Sequence, residues 1–122
     1  MNPALQCVAI AVAGGTGAVA RYLLDSAFPA RIRQRYPWGI TTVNLLGSFL
    51  IGVLFGSQSM LGQWHDVATI GFLGGFTTFS TAMIDTVRLT EAGRHGAAFG
   101  NAFGQCIACV AAALLGMWVT SC

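Results

Sequence analysis

The chain has 122 residues, 55% of them hydrophobic and only 8% charged, with a formal net charge of +2 and no lysine. An ordinary soluble domain carries about 25% charged residues, so this chain has too little charge to cover a soluble fold, whereas a lipid-facing surface needs none. The slight positive balance lacks the basic stripe of a nucleic-acid surface, and the length fits one domain, 1–122.

The first six residues carry no basic side chain. A secretory signal wants a positive n-region, so the first apolar stretch is read as a retained span. Hydrocarbon about 30 Å thick needs roughly 20 apolar residues in helical form. Four stretches meet this, at 3–24, 38–57, 67–89 and 97–119. The fold class is therefore all-α: a polytopic membrane protein of four transmembrane helices, the third broken near its middle. The connecting loops are too short for a further domain, so function must lie within the spans.

In the first span, Gly14, Gly15 and Gly17 let helices approach closely where lipid gives no hydrophobic drive to associate. Arg21, near its end, either snorkels to the adjacent loop or has a structural or ion-attracting role. Pro37 suits the start of the second span, and Trp38, Trp64 and Trp118 fall near span ends, where amphipathic rings settle. Asn44, inside the second span, must either tie helices together or face a polar path.

The third span reads Gly71-Phe-Leu-Gly-Gly-Phe-Thr-Thr-Phe-Ser-Thr81. Paired glycines followed by three threonines and a serine make a poor continuous helix. A mid-membrane break frees backbone groups that cannot face lipid, so they line a cavity or hold an ion. A glycine hinge with hydroxyls bonding back along the helix is the plainer alternative. Asp85 lies three residues before Arg88, a spacing that suits a surface ion pair.

The fourth span carries Cys106 and Cys109; Cys7 and Cys122 lie near the chain ends. A lone C-x-x-C in an apolar, alanine-rich helix reads as small packed side chains, since a zinc site wants further ligands. His65 and His95 fall in loops, and no nucleophile has a paired base, so an enzyme is not expected. Arg31, Arg33 and Arg35 lie in the first loop and Arg88 and Arg94 at the third, while the opposite side has no lysine or arginine. That bias predicts cytoplasmic first and third loops and both termini outside the cell membrane.

Three segments resemble the motifs of the CrcB/Fluc fluoride channels: Gly14-Gly-Thr-Gly-Ala-Val-Ala-Arg-Tyr22, Val43-Asn-Leu-Leu-Gly-Ser-Phe49 and Gly71 to Thr81. The resemblance implies an antiparallel dimer with two pores and a central structural sodium ion. Carried over, backbone carbonyls of Gly74 and Thr77 from each subunit would hold the sodium. Asn44 and Phe79 would line the fluoride path, joined by Thr78 and Ser80 hydroxyls, and Arg21 would match the arginine near the pore entrance. Ring edges suit fluoride because an aromatic quadrupole is positive at its edge.

The chain also departs from the family pattern. A second pore phenylalanine should stand at position 82, which is Ala82. The family's polar track on the fourth span falls here on Gln105, Cys109 and Ala113, where only Gln105 is a strong donor. The one-sided arginines suit a chain that inserts one way. Together these departures point to a heterodimer with a related, oppositely inserted chain; a homodimer is the alternative. Two other classes compete. A proton-coupled exporter of the small multidrug resistance type would want a first-span glutamate, and no acidic residue precedes Asp25. A non-conducting assembly subunit would account for the missing pore residues.

Overall fold

A computed structural model describes residues 2–121; Met1 and Cys122 lie outside the described residues, as do the side chains of Gln58 and Ser59. Four helices are long and apolar enough to cross a membrane: Pro3–Ser26, Trp38–Gly56, Trp64–Glu91 and His95–Ser121. These are the four expected spans, each within a few residues of its sequence boundaries. Asn2 caps the first, its Oδ1 accepting from the Ala4 and Leu5 amides at 2.7 and 3.2 Å, which satisfies N–H groups that a helix start leaves over.

The loops are not plain. A short helix, Ala30–Arg35, fills the first, and another, Gln58–Leu61, fills the second. In the third loop, Gly93 adopts φ +79. The Arg94 amide donates to the Leu89 carbonyl at 2.9 Å and the Gly93 amide to Thr90 at 3.0 Å. This is a Schellman end, which needs a residue free to take a left-handed conformation.

The third span is interrupted, as expected, within the stretch from Gly74 to Ser80, just past its paired glycines. Val67–Leu73 is wound as π-helix and Gly74–Phe76 as α-helix. Thr77 then turns extended, at φ −82 and ψ 155, and a new helix, Ser80–Glu91, begins after Phe79. The span thus has an entry half, 64–76, and an exit half, Ser80–Glu91. Gly75 serves packing instead: a Cβ there would run into the Gly14 carbonyl of the first span. Gly17 answers it from the other side, against the Phe72 carbonyl. The entry half therefore lies backbone to backbone on the first span.

The second and fourth spans make the other long contact. Gly52 and Gly116 meet there, each facing the partner's backbone. Between the two pairs sits a small apolar core of Val43, Leu73 and Phe76, with Leu24, Leu50, Leu54 and Phe72 against it. The fourth span has its own π-helical stretch, Gly100–Gly104.

Candidate functional site

The break is held open by one side chain. Asn44, 8% exposed on the second span, accepts the Thr78 amide on Oδ1 and donates Nδ2 to the Thr78 carbonyl, both at 2.9 Å. The carboxamide thus stands in for a helical neighbour. Its second N–H goes to Gln105 Oε1. Gln105 in turn donates to Asn101 Oδ1 at 2.9 Å and to Thr41 Oγ1 at 3.3 Å. Asn101, fully buried, donates to the Ala82 carbonyl at 3.0 Å and to Thr86 Oγ1 at 2.9 Å. A primary amide has two N–H donors, and all three amides have both committed. Buried networks of this kind hold only when every member is satisfied.

Two diverted donors shape the backbone at the break. The Thr78 amide goes to Asn44 instead of the Gly74 carbonyl one turn back. The Thr81 amide goes to Thr78 Oγ1, at 3.3 Å, instead of the Thr77 carbonyl. The carbonyls of Gly74 and Thr77 each lose their i+4 donor in this way. The Thr77 hydroxyl does not fill the gap, since it bonds back to Leu73 at 3.0 Å. Hard, neutral oxygens of this kind suit an alkali cation. Among the described residues no cluster of three His, Cys, Asp or Glu side chains offers a different metal site.

Beside the break runs a groove of about 310 Å³, lined by Asn44, Ser48, Thr77, Thr78, Phe79, Ala82, Gln105, Cys106 and Cys109 among others. Phe79 is 78% exposed and lies along it. Ser80 is outside the lining, linked to it by a 3.4 Å contact between its hydroxyl and that of Thr78. The Thr78 hydroxyl also lies 3.3 Å from Thr81 Oγ1. With the amides committed, these hydroxyls and that of Ser48 are the donors that can still rotate toward an ion. Gly74, Phe79 and Ser80 are exposed on the outer face of the chain at this level.

The expected site residues are thus mostly gathered in one place, with two exceptions. Arg21 is half-buried on the first span and makes no side-chain bond among the described residues. Ala113 lies on the helix contact, its carbonyl facing Gly52, away from the groove lining. The polar track of the fourth span runs one turn earlier, through Asn101, Gln105 and Cys109. Asn101 escaped the sequence reading, although its i−4 spacing from Gln105 was the available signal. Asp85 and Arg88 do pair, at 3.8 Å, away from the break.

The family described as CrcB-like protein, Camphor Resistance (CrcB), matches residues 8–117. The chain is similar to the Fluoride-specific ion channel FluC 1 of Leifsonia xyli subsp. xyli, with 38% identity covering 98% of this chain and 88% of the relative. It is 40% identical to the FluC protein of Magnetococcus marinus, covering 94% and 97% respectively. With FluC of Geobacter sulfurreducens the identity is 43%, covering 91% and 90%.

Proposed function

The chain belongs to the CrcB family, and we propose that it is a subunit of a fluoride-selective channel that lets fluoride leave the cell passively and so relieves its toxicity. The observation that carries this reading is the break at 77–79, with its amide clamp and rotatable hydroxyls on one groove. Fluoride is small and tightly hydrated, and a path for it must replace that water without trapping the ion. Hydroxyls at Thr78, Ser80 and Ser48 and the ring edge of Phe79 are graded, neutral donors, which suits conduction better than a buried cation would. Asn44 acts chiefly by fixing where those donors point, with Gln105 behind it and Cys109 beside it on the wall.

A second subunit is part of the proposal. Irregular backbone is not tolerated against lipid, yet Gly74, Phe79 and Ser80 lie exposed in mid-span. A second chain covers them, and an antiparallel arrangement brings two breaks together. The Gly74 and Thr77 carbonyls of each subunit would then hold a sodium ion, whose charge would draw the two breaks together. The fit is carried by the two diverted amides, which leave those two carbonyls without their helical donors.

Ala82 favours a heterodimer: it lines the groove where a second ring would stand. In this reading the partner inserts oppositely, while this chain keeps its first and third loops in the cytoplasm. Arg21, with no side-chain partner among the described residues, sits toward the pore entrance.

Fluoride efflux from liposomes tests the function. Flux of fluoride with no chloride flux and no proton coupling is expected, from this chain alone or with a related short chain. Proton-coupled movement of organic cations would replace the channel with an exporter. Silence in both preparations would leave an assembly subunit.

A further inference from the structure

A second cavity, of about 460 Å³, opens between the first-loop helix and the end of the third span, lined by Arg33, Gln34, Pro37, Asp85, Arg88 and Arg94 among others. We propose that it binds the phosphate group of an anionic phospholipid.

Charge comes first. Three arginines and one carboxylate line the cavity. Arg88 touches Asp85 at 3.8 Å and Arg33 touches Asp25 at 3.9 Å. Both exceed the 2.7–2.9 Å or so of a charge-assisted hydrogen bond, so the guanidinium forks keep N–H groups to give. Arg94 has no side-chain partner among the described residues. Three forked donors match the oxygens of a phosphate, which takes bidentate bonds.

Position comes second. The arginines are not on free loops. The Schellman end at Gly93 fixes where Arg94 leaves the helix, and Arg33 Nε donates to the Phe28 carbonyl at 3.1 Å. Depth comes third. Pro37 in the cavity wall separates Tyr36 and Trp38, whose rings are 4.7 Å apart. Trp38 is half exposed at the start of the second span, where aromatic rings mark the headgroup level. Basic pockets at this level between spans hold lipid headgroups.

A bare halide is a poor occupant, being far smaller than the cavity. A bound phosphate would bridge the first-loop helix to the exit half of the third span, steadying the half-helix that begins at Ser80.

A free phosphate ester shares this chemistry, so the test separates the two sources. The full chain, purified in detergent, is offered phosphatidylglycerol or phosphatidylcholine and examined by native mass spectrometry. Retention of phosphatidylglycerol over phosphatidylcholine is expected. It should fall about tenfold in the double variant R33Q/R94Q and stay unchanged in R31Q/R35Q, whose positions carry the same charge outside the cavity. Where the double variant does not fold, Arg94→Lys, which keeps the charge and loses the fork, should still weaken retention. Equal retention of the two lipids overturns the proposal, as does an equal loss in R31Q/R35Q. Displacement by millimolar inorganic phosphate without preference among lipids overturns the lipid source.

Discussion

The two halves of the third span are held in opposite ways. The entry half lies on the first span through glycines and bare backbone, Gly75 on Gly14 and Gly17 on Phe72. The break and the exit half are tied to the second and fourth spans through amides, with Asn44 on Thr78 in the break and Asn101 on Ala82 and Thr86 in the exit half. One contact is specified by volume and the other by hydrogen-bonding capacity. In lipid both routes are needed, because apolar side chains gain nothing by leaving one hydrocarbon for another. The break falls where one mode gives way to the other.

That contrast can be broken most severely on the volume side. Gly75→Val drives a side chain into a backbone carbonyl that cannot turn away. We expect a loss of at least about 3 kcal/mol, seen as a collapsed size-exclusion profile and a lowered thermal midpoint. A monodisperse, wild-type-like Gly75→Val protein would mean that the two helices are not in this contact.

On the polar side the cost follows orphaned groups more than size. Asn44→Leu fills a similar volume but strands the Thr78 amide and carbonyl. At about 1–3 kcal/mol per orphaned group, we expect a loss near 3 kcal/mol and no fluoride flux. Asn101→Leu strands fewer groups with good alternatives, since Thr86 Oγ1 already donates to Ala82 at 2.9 Å. The loss should be about 2 kcal/mol, with residual flux. An Asn44 variant milder than its Asn101 counterpart would reverse the order of importance assigned to the clamp.

The smallest stability effect separates folding from conduction. Ser80 is exposed and makes only a 3.4 Å contact with Thr78. Ser80→Ala should change stability by less than about 0.5 kcal/mol while lowering fluoride efflux severalfold. Unchanged efflux would remove Ser80 from the ion path.

Much of this was legible in the sequence, for physical reasons. Span length and apolarity fix the four helices, and Asn44 and the Thr77–Ser80 run stand out because polar groups in hydrocarbon demand partners. The paired glycines were harder to read: Gly74 and Gly75 suggested where the helix fails, yet they remain helical, and the chain parts two residues later at Thr77. Nothing local says that Thr78 will prefer a side chain of another span to its own helix. Asn101 was hidden for the same reason. Its worth depends on Ala82 and Thr86, 19 and 15 residues away across a loop, and on a π-helical stretch, Gly100–Gly104, that no propensity announces. The short helix Ala30–Arg35 shows in the sequence only as a source of charge.

The amide chain also has a chronology. It runs from the Thr78 amide through Asn44, Gln105 and Asn101 to the Ala82 carbonyl, beginning in the break and ending on the exit half. As the chain is made, Asn44 precedes the break it holds, while Asn101 and Gln105 arrive last. Until then the clamp lacks its backing and the exit half lacks the Asn101 bonds to Ala82 and Thr86. The fourth span is therefore a latch: its arrival closes the circuit only if the second, third and fourth spans are in register. A chain truncated before it should insert yet stay open to proteolysis near residue 78.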